Sequence, residues 1–180
     1  MNALTEARDL AGHPMFSGLG PAEVEVIARA GMLRVLHAGD VLMREGQVDD
    51  ALELVMEGEA DVTSTGRGGE LHSLATVGPG ALLGETGFLC GQERTATVRA
   101  KGPMRSFRLP GARLDLLLEE GEPAARKLLR RLAVLLAERQ RESNSRIMEL
   151  LAQTRDPKAP VKLNVMAIQE KLARAMKHGG

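Results

Sequence analysis

The sequence predicts an α+β fold, an antiparallel rolled sheet held between helices, and three observations carry that prediction. Between residues 32 and 110, six short apolar runs alternate with Gly- and Pro-rich turns at intervals of about eight to twelve residues, the spacing of an antiparallel sandwich or barrel. On either side of that region, apolar residues recur at helical rather than strand spacing. Inside it, the stretch Thr86–Leu89 reads as a single helical turn where a β region has no other need of one.

Residues 3–31 read as helical. Pro21 suits a first helical position, Val24, Ile27 and Ala28 form an apolar stripe, and Gly31 ends it. Strands follow at Leu33–Leu36, Val41–Met43, Leu52–Met56, Leu71–Val77, Thr95–Ala100 and Met104–Leu109. The turns between them are Ala38-Gly39-Asp40, Glu45-Gly46, Glu57-Gly58, Gly66-Arg67-Gly68-Gly69, Gly78-Pro79-Gly80 and Gly102-Pro103. A short helix over Leu114–Leu118 precedes Gly121, and Pro123 opens a long helix reaching about Leu151. Its stripe of Leu128, Leu129, Leu132, Leu135 and Leu136 is interrupted over Arg139–Arg146 and resumes at Ile147, Leu150 and Leu151. Asp156, Pro157 and Pro160 break the chain. A last amphipathic stretch, 163–177, sets Val165, Ile168, Leu172 and Met176 apart from Lys171, Arg174 and Lys177. The organisation expected is one domain over residues 1–151 and a basic linker and tail over 152–180.

Composition narrows the function. With 43% hydrophobic and 27% charged residues the chain is ordinary for a globular protein. No run of about 18 apolar residues predicts a membrane helix, and the N-terminus lacks a signal-peptide pattern, so a cytoplasmic protein without membrane contact is expected. The one cysteine, Cys90, excludes an internal disulfide and a Cys-rich metal site. His13, His37, His72 and His178 are scattered without metal-ligand spacing. No catalytic triad, carboxylate pair or Walker loop is present, so no catalysis, metal or cofactor is expected. Residues 1–120 hold 18 acidic and 11 basic side chains, whereas 121–180 hold 13 basic and 6 acidic. The basic part suits a nucleic acid, an acidic partner, the acidic part of the same chain, or simply a solvated helix. Three Phe with no Tyr or Trp argue against single-strand nucleic-acid binding, which uses aromatic platforms.

The chemistry concentrates in Leu83-Gly84-Glu85-Thr86-Gly87-Phe88-Leu89 followed by Cys90-Gly91-Gln92-Glu93-Arg94-Thr95-Ala96-Thr97-Val98. An acid precedes a short apolar turn, and an arginine follows nine residues later at the entry to a strand. Exposed helical N–H groups suit a phosphate, and Arg94 adds a charge-assisted contact. Glu85 suits vicinal hydroxyls, as acids do on ribose, while Gly84 and Gly87 let a ligand approach the backbone. Together these groups suit a sugar phosphate. Two other readings stand beside this one: Arg94 as a structural partner of Glu85, and Glu45-Gly46 and Cys90 as ordinary loop residues.

The segment resembles the phosphate-binding cassette of the cyclic-nucleotide-binding domain family, of the catabolite-activator type. HPMFSGLGPAEVEVIARAG, AGDVLMREGQVDDALELVMEGEADV and the helix after Pro123 extend the resemblance to about 150 residues. It implies a double-stranded jelly-roll β-roll with a short cassette helix and a long C-terminal helix. It also implies Glu85 on the ribose 2′-hydroxyl of cAMP or cGMP, Arg94 on the cyclic phosphate, and contacts from Gly84, Thr86 and Thr95. Leu83 stands where Phe is usual, and Thr86, Gly87 and Phe88 depart from Leu-Ala-Leu. Glu93 replaces a common Pro and brings a carboxylate towards the site. Gly87 is expected to loosen the cassette helix, and an Arg94→Ala change to abolish binding with the fold intact.

The long helix is the expected output element, with Arg139, Gln140 and Asn144 as base contacts or as solvent-facing residues. Leu128, Leu132, Leu135, Ile147 and Leu150 form either a homodimer seam on the 123–151 helix or packing against the same chain. Three function classes follow: a cyclic-nucleotide sensor acting on an unidentified protein effector, a scaffold using the roll structurally, and a regulator whose Lys158–Lys177 segment touches DNA. Too few residues follow Ala152 for a winged-helix reader, so DNA binding is not expected. The residues do not decide between cAMP and cGMP.

Overall fold

The computed structural model describes residues 3–66 and 68–153. The breaks at Asp156, Pro157 and Pro160, the 163–177 stretch and His178 lie outside the described residues. The chain divides into two compact bodies, Met1–Ala137 and Glu138–Gly180.

In the first body, α1 (Ala3–Ala11), a 3₁₀ turn (Pro14–Phe16) and α2 (Pro21–Ala30) lead into the sheets. Pro21 opens α2, and Glu23 caps it by accepting the Gly20 N–H at 2.8 Å. Eight strands follow: β1 (Met32–Leu36), β2 (Val41–Met43), β3 (Leu52–Glu57), β4 (Ala60–Thr65), β5 (Leu71–Val77), β6 (Leu82–Leu83), β7 (Thr97–Ala100) and β8 (Met104–Leu109). They form two antiparallel four-stranded sheets, β1-β8-β3-β6 and β2-β7-β4-β5, the jelly-roll expected. The strand β5 is an edge: it pairs with β4 alone.

Two strands were not anticipated. β4 reads Ala-Asp-Val-Thr-Ser-Thr, too polar to mark an apolar run, and it is held as a strand by partners on both sides. β6 is two residues long and exists through its register with β3, Leu83 opposite Glu53 and Leu82 opposite Leu54. The expected strand at Thr95 begins only at Thr97, because the backbone just before it turns to another partner. The Arg94 N–H donates to Gln47 O at 2.9 Å, and Gly46 N–H donates to Arg94 O at 2.8 Å.

Strand alternation divides the interior in two. Leu52, Leu54, Leu82, Phe107 and Leu109 point to the helices and are buried with Leu10, Phe16, Ile27 and Leu114. Phe16 meets Phe107 edge-to-face, ring centroids 6.4 Å apart. Leu36, Val55, Met104 and Leu83 point the other way, towards Met43, Val62, Val98 and Ala100 of the second sheet. Each large apolar side chain so buried contributes about 1.5–3 kcal/mol of transfer free energy.

After β8 come α4 (Gly111–Glu119) and α5 (Pro123–Gln153). Ala124, Ala125, Leu128 and Leu132 are buried in the helix-side core, Lys127 pairs with Glu23 at 2.8 Å, and Arg131 Nε donates to Pro14 O at 3.0 Å. Leu128 and Leu132 are therefore core residues of their own chain, not part of a dimer seam. In the second body, Gln140 donates to Asn144 at 3.1 Å, and Ile147, Met148 and Leu150 are exposed. Among the described residues no helix is long and apolar enough to cross a membrane.

Candidate functional site

The site begins where β6 ends. Gly84, at φ +81°, swings the chain out of the strand into α3 (Glu85–Cys90), and Gly91, at φ +64°, ends that helix after six residues. Both angles belong to the left-handed region that favours glycine. Gly84 O accepts the Phe88 N–H at 3.0 Å, and Gly87 O accepts the Gly91 N–H at 2.9 Å. Gly87 also has a steric role, since a Cβ there would lie 2.7 Å from Asp49 O and 3.1 Å from Gln92 O.

Arg94 lies beneath this turn, its side chain 2% exposed. Nη1 donates to Gly84 O at 2.8 Å, Nη2 donates to Ala51 O at 2.6 Å, and Nη2 pairs with Asp49 Oδ2 at 2.9 Å. Nε is buried without a partner among the described residues, an orphan that buried polar groups seldom tolerate. The acid paired with Arg94 is Asp49.

Asp49 opens a longer chain of charges. Its Oδ1 accepts from Arg108 at 2.7 Å; Arg108 also reaches Glu53 at 3.2 Å, and Glu53 takes Arg34 at 2.5 Å. Glu53 is wholly buried. None of these four was foreseen. The signal was present as a charged residue flanked by apolar ones in each of three strands: Arg34 in Leu-Arg-Val, Glu53 in Leu-Glu-Leu, and Arg108 in Phe-Arg-Leu.

Burial alone would push the Asp49 carboxyl up. Hydrogen bonds from Arg108 and Arg94, and from the Ala51 N–H, override it and hold the group down at about 2 against an ordinary 3.8. A carboxyl depressed in the folded state contributes stability that is present above its unfolded value, near pH 4, and is lost as pH falls through about 2. Asp49→Asn is expected to remove a contribution on the order of 2 kcal/mol at neutral pH and to flatten the loss between pH 4 and 2. Melting temperatures followed over that range check it, and an unchanged acid limb in the variant would contradict the pairing.

Between the turn and the second sheet lies a cavity of about 200 Å³. Gly84, Glu85, Thr86, Gly87, Glu93, Arg94 and Thr95 line one side, and Met43, Val62, Leu74, Leu83, Ala96 and Val98 the other. The five residues expected around the phosphate and ribose, Gly84, Glu85, Thr86, Arg94 and Thr95, are thus brought to one cavity. Glu93 is there too, beside the arginine. The opposite wall is apolar, so the cavity presents a charged end and a greasy end, as a sugar phosphate with a flat base requires. Arg139, Gln140 and Asn144 belong to the second body and are exposed there.

Glu45 is structural: it accepts from Ser64 Oγ at 2.9 Å and from Thr65 N–H at 2.8 Å, stitching the turn to β4. Cys90 is an exposed thiol at the end of α3. Among the described residues no group of three His, Cys, Asp or Glu side chains is placed to hold a metal ion.

Two jelly-roll sheets, a helical turn set between glycines, and a buried arginine on the floor of a cavity define a β-roll with a built-in pocket. The cyclic nucleotide-binding domain model matches residues 33–121. A cyclic AMP receptor protein of Thermus thermophilus is 36% identical over 89 residues, 49% of this chain and 41% of that protein. A cyclic nucleotide-gated potassium channel of Mesorhizobium japonicum is 31% identical over 125 residues, 69% of this chain and 33% of that protein. The crystal structure of a cyclic nucleotide-binding domain from Methylobacillus flagellatus superposes with a TM-score of 0.73 at 26% identity, covering 89% of this chain and 88% of that one. Residues 33–121 carry a domain of the cyclic nucleotide-binding family. The chain spans less than half the length of these two curated relatives.

Proposed function

We propose that the chain is a regulatory module that binds cAMP or cGMP in the cavity beside Arg94 and passes the event to a protein partner. One observation carries the reading. The run Arg34, Glu53, Arg108, Asp49 and Arg94, of which Glu53 and Arg94 are buried, ends at the cavity in Arg94, whose Nε lacks a partner among the described residues. Arg94 is the one cation among the described residues lining the cavity, and a cyclic phosphodiester suits its unpaired Nε–H as a charge-assisted partner. Glu85 accepts hydrogen bonds from ribose hydroxyl, Thr86 and Thr95 flank the phosphate, and the base lies towards Val62, Leu74 and Val98. The names of the Thermus and Mesorhizobium relatives support the same ligand class.

The output runs through α5. A ligand shifts that helix only by binding its two states unequally. A homodimer seam, with Leu128 and Leu132 already spent on the core, falls to Ile147 and Leu150. Calorimetry of nucleotide-stripped protein with cAMP, cGMP and a cyclic dinucleotide tests the reading. Micromolar or tighter binding of one cyclic mononucleotide is expected. Absence of heat with all three would overturn it in favour of a roll used as a scaffold.

A further inference from the structure

Arg34, Glu53 and Arg108 stand on three adjacent strands of one sheet, side by side in register: Glu53 opposite Arg108, and Arg34 opposite Ser106. By strand alternation they share the face that carries Leu36, Val55 and Met104 into the apolar space between the sheets. A well-packed apolar residue at such a position commonly stabilises a fold as well as, or better than, an ion pair does. Stability alone therefore gives a poor account of why a carboxylate is placed here with no exposed surface.

Arg108 has two arms. One donates to Glu53 at 3.2 Å and the other to Asp49 Oδ1 at 2.7 Å, leaving Asp49 Oδ2 to hold Arg94 at 2.9 Å. Asp49 sits on the connection ahead of β3, where nothing in the strand ladder fixes its side chain; its orientation comes from Arg108 and from the Ala51 N–H at 3.2 Å. Arg108 is in turn fixed by Glu53, and Glu53 by Arg34. We propose that Arg108, anchored by Glu53 and Arg34, is a positioning residue for the nucleotide site: it sets Asp49 so that the Arg94 fork is held ready for the phosphate. Neither Arg108 nor its two anchors line the cavity. The proposal rests on the cyclic-nucleotide reading above and deepens it, by extending the site to a second layer reaching the far edge strand β1.

The test is a double-mutant cycle read by cAMP and cGMP calorimetry, with Arg108→Gln, Asp49→Asn and the pair, each checked by circular dichroism and melting. Arg108→Gln is expected to weaken binding about tenfold, and to add no more than about twofold once Asp49 is already Asn. Losses that simply add would overturn the proposal, since a merely structural Arg108 would act without Asp49. The second readout needs no nucleotide: solvent exchange of the Arg94 Nε–H, followed by nitrogen-15 NMR in the ligand-free protein. Faster exchange in Arg108→Gln supports positioning, and an unchanged rate overturns it. If wild-type protein binds neither nucleotide, the functional reading falls while this exchange rate still decides the positioning. Should Arg108→Gln fail to fold, Arg34→Gln replaces it. Its side chain is 28% exposed on an edge strand, and a roughly threefold faster Arg94 exchange is expected; no change there overturns the proposal.

Discussion

Arg94→Ala is expected to abolish cyclic-nucleotide binding and, in the same step, to lower stability by roughly 2–4 kcal/mol. The sequence by itself points to a variant with an intact fold, because an arginine entering a strand beside a helical turn reads as a ligand contact and nothing more. The structure gives the guanidinium a second duty. It joins Gly84 O in the cassette to Ala51 O at the start of β3 and neutralises Asp49. Its removal leaves two carbonyls without a charged donor and a half-buried carboxylate with Arg108 alone. Chemical denaturation and calorimetry on the same sample separate the two effects. Undiminished affinity would sink the assignment of the site; unchanged stability would sink the structural duty. Arg94→Lys is the useful companion, since it keeps the charge and loses the fork that spans both carbonyls.

Gly84→Ala is the other change with a large expected effect. A Cβ at this position would overlap the Arg94 guanidinium and come within 2.9 Å of Ala51 O, on a backbone at φ +81°. The strain of that dihedral costs about 1–3 kcal/mol, and the collision has no flexible side chain to absorb it except Arg94 itself. We expect Arg94 to be driven out of its seat and nucleotide affinity to fall by roughly a hundredfold or more, with a melting point lowered by several degrees. A variant that keeps wild-type affinity would show that the guanidinium need not occupy the position described.

Most of the architecture was legible because it depends on local signals. Pro21 and Gly31 bound α2, alternating apolar runs mark β2, β5 and β8 to the residue, and Pro123 opens α5. The cassette was legible for the same reason: Glu85, Gly84 and Arg94 are close in sequence, and their types name a chemistry. What stayed hidden is non-local. β4 is a strand because β5 and β7 flank it, not because Thr63 and Ser64 favour one. Asp49 lies 45 residues before the arginine it holds, and only the register of β3 and β8 brings Glu53 to Arg108. The steric role of Gly87 was hidden for a related cause. Helix propensity counts its freedom as a weakness, whereas the space above Asp49 O admits nothing larger. The seam residues Leu128 and Leu132 had two readings at helical spacing, and only packing decides which face a helix buries.

The cavity has one wall that differs from the rest. Leu74 belongs to β5, which is bonded to β4 on one side and to no strand on the other, and six of its seven residues are exposed. Met43 on β2 and Leu83 on β6 also sit in strands with a single partner, but those strands are three and two residues long with no exposed residue, whereas β5 is seven. A hairpin arm held by a single ladder opens with a smaller loss of hydrogen bonds than a central strand does. If a ligand passes this arm on its way in and out, its residence time depends on how readily β5 leaves β4, and a faster dissociation rate in a Leu74→Ala variant checks it. Affinity and lifetime are then written in different parts of the chain: the first around Arg94, the second in a strand that carries no charge-bearing contact to the ligand at all.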